Sequence, residues 1–485
     1  MKTLNTLSDY ARHWATAGIN WADQFYDPAY DLLTVPPDAD AKHPPRVANA
    51  HMVRDSIWYA LGLFMRQQDG DTARAIKVIE AVLHNQFDEP GRVYHGTFRR
   101  APEEPSPPPA HAVEWKDYDP NWREFICSIF LVMMDAYDAL LPGDLQQAMW
   151  QAIYKAAEGT SARRVPPHYT NISLISALLM DHAGAHFDVS RWRSQADVLG
   201  RAIYALFEAN NQTFWEYNSP TYYGVDLFAL ALWRHYGLND EVFRTPGAAM
   251  EAGLWRDIAR FYHAGLRNLC GPYDRSYGMD MTHYLATVGL YIGLAVPPDQ
   301  APIPDTSQVF GHSGDFLFMP PTAMVGTQIP DDALAHLQAF QGERQFERQV
   351  EPGRVASAWL GESVMIGAAT AHFVRGAGGD SQCHLATIHW QSPDGRVNWI
   401  RVRSDSLFNA RAEAGTLTID CPYATDLRIE GLAADTQADA ITANSWALPG
   451  LTLAVRGASA PQVTTEDATF VIEVSVAETC QLTVQ

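Results

Sequence analysis

Near residue 300 the hydrophobic period of this chain changes, and that change limits the folds open to it. Up to that point apolar residues recur three and four positions apart in segment after segment, the spacing of helices with one buried face. The pattern predicts helices over 4–17, 54–68, 72–85, 122–141, 144–158, 172–184, 190–209, 222–236, 253–269 and 281–295. Pro142-Gly143 and Gly237-Leu238-Asn239-Asp240 carry the stop signals expected between them. A proline-rich connector follows, around Pro297-Pro298-Asp299 and Pro302-Ile303-Pro304-Asp305. Beyond it the chain reads as strands over 354–359, 363–368, 384–391, 398–402, 416–420, 452–456 and 469–476. Helices joined by short loops, with no heptad and no fixed-period repeat, suggest paired helices in a ring or solenoid. Many short strands without intervening helices indicate an antiparallel β-sandwich. A chain of 485 residues exceeds what one core supports, so two domains are expected, 1–300 and 301–485.

Charge excludes some partners. With 35 Lys and Arg against 56 Asp and Glu, the net charge is −21. Neither nucleic acid nor an anionic membrane surface would be held by bulk electrostatics. No run of about 18 apolar residues suggests a membrane span. The N-terminal stretch MKTLNTLSDYARHWATAGINW reads as an amphipathic helix without the apolar core of a secretion signal. A cytoplasmic location is therefore expected, or a periplasmic one if a leader has been removed. The five cysteines, Cys127, Cys270, Cys383, Cys421 and Cys480, are far apart and read as reduced buried thiols. No cofactor is expected. No metal is expected either, His384 and His389 being the candidates the strand region offers. The oligomeric state is not fixed by the sequence.

Polar and aromatic residues crowd three loop-helix junctions of the helical half. The first, Pro166-Pro167-His168-Tyr169-Thr170-Asn171, runs into an apolar helix, and Thr170 or Asn171 could serve simply as its N-cap. The second, Glu216 to Tyr223, carries Asn218 and Ser219 and places Tyr222-Tyr223 in the first turn of a helix, where an aromatic pair could equally pack the helix start. The third, Cys270 to Tyr284, gathers Tyr273, Asp274, Arg275, Tyr277, Asp280 and His283. There Asp274 could pair with Arg275 and Asp280 could cap a helix. A long polar excursion over 87–119 adds His95 and Trp115. Such loops are functional or plain surface excursions.

Together these clusters supply an amide (Asn171), a guanidinium (Arg275), imidazoles (His168, His283) and phenols (Tyr222, Tyr223, Tyr277). That set suits β-elimination from a uronic acid. Taking the proton beside a carboxylate requires the carboxylate's charge to be neutralised, so that the developing enolate is stabilised. A base must accept that proton and an acid must protonate the departing glycosidic oxygen. His168, Glu216, Asn218, Tyr273, Asp274, Trp115 and His95 are candidates for substrate binding.

Asn171 at a helix start, the Glu216-x-x-Ser219-x-x-Tyr222-Tyr223 stretch some fifty residues later, Ala358-Trp359-Leu360-Gly361-Glu362 and Ile388-His389-Trp390 together resemble polysaccharide lyases of the (α/α)-toroid type, the heparinase II/III-like and alginate-lyase families. The resemblance implies an N-terminal (α/α) toroid of paired helices that carries catalysis, followed by an antiparallel β-sandwich domain. It also implies that Asn171 neutralises the uronate carboxylate and that Tyr222 is the catalytic phenol, with Tyr223 as the alternative. Where the family carries a Tyr-His pair, this chain has Tyr222-Tyr223, and no His follows Asn171. Arg275, Tyr277 and His283 are assigned by chemistry.

The expected activity is therefore a carbon-oxygen lyase on a uronate-containing oligo- or polysaccharide. The strong negative charge favours a short or singly charged substrate, since a polyanion is repelled over about 8 Å at physiological salt. A glycoside hydrolase on the same scaffold is the alternative. It would draw a carboxylate pair about 6.5 to 9.5 Å apart from Asp274, Asp280, Glu216, Glu114 and Asp226. A non-catalytic carbohydrate-binding protein is the second alternative.

Overall fold

Helices α1 (Asp9–Ala22), α2 (Val53–Arg66), α3 (Asp71–Leu83), α4 (Trp122–Ala136), α5 (Gly143–Arg163), α6 (Thr170–His186), α7 (Ser190–Ala209), α8 (Tyr223–Tyr236) and α9 (Thr245–Phe261) precede the shorter α10 (Thr287–Gly293), α11 (Met319–Val325) and α12 (Asp331–Gln338). The structure is a computed structural model and describes residues 2–39, 50–370, 382–432, 436–466 and 469–485. Two units divide the chain, and neither is a single stretch of it. Unit one comprises Met1–Leu206, Gly224–Ala252 and Leu285–Gln328, and unit two Phe207–Tyr223, Gly253–Tyr284 and Ile329–Gln485. Among the described residues no helix is long and apolar enough to cross a membrane.

Unit one is layered. Helices α2, α4 and α6 are buried around nearly their whole circumference, α2 continuously from Asp55 to Met65 and α6 from Thr170 to Asp181. Helix α3 buries the stripe Ala75, Val78, Ile79 and Val82, with Asp71 at its start, and α5 the stripe Leu145, Met149, Ala152, Ile153 and Ala156, with Ala157, Gly159 and Thr160 toward its end. All-round burial marks a helix enclosed by others, and a single stripe marks one facing solvent. Accordingly α2 packs on α4 and α4 on α6, while α3 covers α2 and α5 covers both α4 and α6. Three short strands, β1 (Tyr26–Asp27), β2 (Leu32–Thr34) and β3 (His51–Met52), form a small antiparallel sheet in this unit.

Two helices differ from the spacing-based expectation. The helix expected over 253–269 begins at Thr245 and ends at Phe261. Pro246 fits its first turn, where a missing N–H costs nothing, and after Phe261 the chain turns into the antiparallel pair β4 (Tyr262–His263) and β5 (Asn268–Leu269). The helix expected over 281–295 shrinks to α10, because Asp280 captures the residues before it. One carboxylate oxygen accepts the Thr282 N–H and hydroxyl, each at 2.8 Å, and the other meets the His283 ring at 2.7 Å. Helical turns also continue past the proline connector, where strands were expected to begin, in Ser313–Phe318, α11 and α12.

The described C-terminal strands are β6 (Arg344–Glu351), β7 (Arg354–Leu360), β8 (Val364–Ala369), β9 (Ala386–Gln391), β10 (Val397–Arg403), β11 (Asn409–Glu413), β12 (Thr416–Asp420), β13 (Thr425–Leu432), β14 (Ser445–Leu448), β15 (Leu451–Ala458), β16 (Gln462–Glu466) and β17 (Thr469–Val484). They join in one antiparallel sheet, ordered β11-β12-β17-β13-β10-β9-β8-β7-β6, with β15 and β16 also paired to β17. Strand β17 holds two sets of neighbours. Its first half, Thr469 to Val476, pairs with β13, and its second, Thr479 to Thr483, pairs with β12. The sheet thereby turns over on itself, and β11 comes to lie against β7, where the Ala412 N–H donates to the Ser357 hydroxyl at 2.8 Å. The enclosed core includes Ile366, Ile388, Ile400, Leu417, Ile429, Trp446, Leu453 and Ile472.

The same sheet carries the loop at 270–284. Tyr273 and His384 exchange backbone hydrogen bonds at 3.0 and 2.9 Å, and the Ser276 N–H donates to the Gln382 carbonyl at 2.8 Å. So close an approach needs glycine on both sides. A Cβ on Gly367 of β8 would collide with the Gly271 carbonyl, and one on Gly271 with the Thr387 side chain.

Candidate functional site

Two segments of unit two, 211–223 and 270–284, are laced side by side by the short polar side chains of the first. Asn218 takes a left-handed backbone, φ 45, which asparagine tolerates better than most residues. Its Nδ2 donates to the carbonyls of Cys270 and Pro272, each at 2.8 Å. The next residue, Ser219, donates its hydroxyl to the Arg275 carbonyl at 2.6 Å and accepts the Tyr222 N–H at 3.1 Å. The Asp274 N–H adds a bond to the Tyr217 carbonyl at 3.1 Å.

This lacing sets Tyr222 against Arg275 and Tyr277. The guanidinium carbon of Arg275 stands 4.2 Å from the centre of the Tyr222 ring, a cation-π arrangement. The Tyr222 and Tyr277 hydroxyls are 2.9 Å apart, and either can be the donor. Arg275 also reaches Glu216, with Nη1 3.7 Å from Oε1, and donates from Nε to Gln382 at 3.1 Å. Glu216 is buried, while Tyr222, Arg275 and Tyr277 keep part of their surface open to solvent. Burial drives the Tyr222 phenol well above its ordinary pKa. Tyr277 and Glu216 push the same way, and Arg275 opposes them. Tyr222 is therefore a protonated phenol at neutral pH, next to a fixed positive charge and a second hydroxyl.

The other candidates of these segments are engaged elsewhere. Tyr223, the first residue of α8, is fully buried and donates its phenol to Asp257 at 2.9 Å. Asp257 also accepts the Thr213 hydroxyl at 3.0 Å and is ion-paired with Arg348. Asp274 forms a buried ion pair with Arg354 at 2.9 Å. Tyr273 is buried and donates its phenol to the Leu269 carbonyl. His283 is turned to solvent. It is held by Asp280, its side chain is 71% exposed, and the cations acting on it are Arg267 and Arg396. The hydrogen bond to Asp280 raises its pKa.

His384 and His389 are wholly buried, and burial lowers both, His389 to about 4. The His389 Nε2 meets the Met279 carbonyl at 2.9 Å. Among the described residues no three His, Cys, Asp or Glu side chains gather as a metal site requires.

Unit one holds the remaining candidates. Tyr169 takes the N-cap position of α6, so Asn171 is the second helical residue and is buried at 1% exposure. His168 lies in the turn before it and is half-buried. His95 is buried, accepts the Glu89 N–H at Nδ1 (3.1 Å) and sits 3.3 Å from Glu158. Trp115 lies on the surface.

Sequence reasoning did not find Gln382, Arg354, Asp257 or Arg348. Gln382 is 107 positions from Arg275. It has no local motif, and only the pairing of loop 270–284 with the strand region brings it close. The two buried ion pairs likewise join residues 80 and 91 positions apart.

The family model described as Domain of unknown function (DUF8769) matches residues 12–327, and a second, described as Domain of unknown function (DUF8770), matches residues 338–475. No curated protein matches the chain. Among solved structures, the crystal structure of heparinase III is similar over 99% of this chain and 85% of that one, with 9% identity and a TM-score of 0.44. At that score the likeness carries no argument about activity.

Proposed function

The chain belongs to the family described as Domain of unknown function (DUF8769), and because that description assigns no activity, we infer its function from the side chains of unit two. We propose a polysaccharide lyase that cleaves a glycosidic bond next to a uronic acid by β-elimination. The observation that carries this reading is the Tyr222 and Tyr277 hydroxyl pair at 2.9 Å beside the Arg275 guanidinium. Arg275 neutralises the substrate carboxylate and so stabilises the enolate that forms when the neighbouring carbon loses its proton. The phenol pair moves the protons. One hydroxyl takes the C5 proton while passing its own to the other, which protonates the departing oxygen as the C4–O bond breaks. The C5–H electron pair becomes the new double bond, and the pair of phenols ends with the protons it began with.

Hydrolysis fits these side chains less well. A hydrolase needs two carboxyl groups facing one substrate, one to give a proton and one to activate water. In unit two Asp274 is bound to Arg354, Asp280 to Thr282 and His283, and Glu216 lies beside Arg275. The inner and outer helices of unit one support the (α/α) toroid as its architecture. The amide role assigned by resemblance to Asn171 is a separate proposal, tested by Asn171→Ala.

The test is near-ultraviolet absorbance of the protein with a panel of uronate-containing oligo- and polysaccharides. Elimination conjugates a double bond to the carboxylate and raises the absorbance, and Tyr222→Phe should abolish the rise. New reducing ends without that absorbance would replace the lyase with a hydrolase.

A further inference from the structure

Trp115 of unit one keeps 44% of its surface exposed, on a backbone built to hold it there. Its φ is 65, a left-handed conformation that bulky residues rarely adopt. The loop around it is closed by the Trp115 N–H donating to the Tyr118 carbonyl and the Asp117 N–H to the Val113 carbonyl, each at 2.9 Å. The Asp117 carboxylate accepts the Val113 N–H at 2.8 Å. Arg100 fastens the tip, donating to the carbonyls of Trp115 at 3.2 Å and Lys116 at 3.1 Å. The chain thus spends an unfavourable backbone and a guanidinium on presenting an indole outward, where burial returns little. Such strain persists when the conformation has a use.

What borders the ring is polar. The Arg163 guanidinium at the end of α5 lies 5.9 Å from the ring centre. It donates to Asn121 Oδ1 at 2.6 Å, and Asn121 Nδ2 donates to the Tyr169 hydroxyl at 2.9 Å. Glu114, 3.6 Å from Arg163, completes the edge. Arg163 at the end of α5, Asn121 before α4 and Tyr169 before α6 therefore form one row beside an apolar face. A pyranose has the matching anatomy, with a face of C–H groups and an edge of hydroxyls. An apolar protein partner would need more than this ring, and its chain neighbours Glu114 and Lys116 are exposed and charged.

We propose that the Trp115 face of unit one is a binding site for an acidic saccharide, a sugar ring stacking on the indole with its carboxylate toward Arg163. The choice of a uronate rests on the lyase reading above, whereas the stacking of a sugar does not.

The experiment is calorimetric titration of the full chain carrying Tyr222→Phe, which prevents turnover, with a uronate oligosaccharide and with its neutral counterpart. Trp115→Ala in that background should weaken uronate binding by at least about tenfold, and Trp115→Phe by less. Arg163→Gln should weaken the uronate and leave the neutral sugar unchanged. Equal dissociation constants with and without Trp115 would overturn the proposal. Binding lost with Trp115→Ala, together with no elimination by the protein that keeps Tyr222, would uphold this site and sink the lyase. Elimination with unaltered Trp115→Ala binding would do the reverse.

Discussion

The two ends of the segment 270–284 look alike in sequence and differ in space. Its first part brings Arg275 and Tyr277 to Glu216, Tyr222 and Gln382. Its last part turns His283 out to solvent on Asp280, toward Arg267 and Arg396. Each end holds a cation, a carboxylate and a nearby tyrosine, yet the first end is laced to the segment 211–223, through Asn218 and Ser219, whereas the last is tied at Met279 to Asn268 and His389. The difference teaches that density along the chain does not make a site. Convergence does, and convergence here comes from short polar side chains that fix one loop against another.

The largest effect should fall where the loops converge. Tyr222→Phe keeps the ring under Arg275 and deletes the hydroxyl, so kcat on a uronate substrate should fall by about a thousandfold or more, as for loss of a proton-transferring group. Arg275→Ala should cost on the order of a hundred- to a thousandfold by removing the charge that meets the carboxylate. If either variant turns over normally in the absorbance assay, the first end of the segment is no more catalytic than the second.

Asp274 separates structure from chemistry within that same end. Asp274→Ala would take the nearer carboxylate from buried Arg354 and leave it Glu351 at 3.6 Å, and breaking a buried pair costs about 3–5 kcal/mol. Denaturant titration should show that loss. A variant as stable as the parent would mean that water already reaches the pair.

Tyr223 sharpens the contrast from the neighbouring segment. Its phenol donates to the Asp257 carboxylate, and a hydrogen bond to a charged group is worth about 1.5–3 kcal/mol. Tyr223→Phe should lose that much stability and change kcat only a few-fold, the opposite of Tyr222→Phe. A large loss of kcat at unchanged stability would exchange the roles of the two residues.

Much of the backbone was legible in the sequence. The 3.6-residue period marks α2, α3, α7 and α8 to within two or so residues, because each buries a regular apolar stripe or is enclosed by others. It fails at α10, where the Asp280 side chain competes with helical hydrogen bonding for the next residues. Strand β6 was also hidden. Its sequence RQFERQVE sets just Phe346 and Val350 among charged and amide side chains, as an edge strand can when charges protect it from further pairing. For the site, the local residues Glu216, Tyr222, Arg275 and Tyr277 stood out by type. Their grouping depends on Ser219, Gln382 and the glycine contact between Gly271 and Gly367, and no spacing along the chain announces these.

The smallest effect belongs to the far end. Asp280 raises the pKa of His283, so the folded state favours the imidazolium. Stability from that pairing is full below the ordinary imidazole pKa of 6.5 and is lost as pH rises through the folded value. With 71% of the side chain exposed, solvent screening keeps the contribution small. The melting temperature of the parent should therefore exceed that of His283→Gln by a small margin at acid pH, and the two should converge at alkaline pH. The catalytic rate of His283→Gln should stay near that of the parent. A large fall in kcat would place His283 in the chemistry and make the two ends of the segment partners in it.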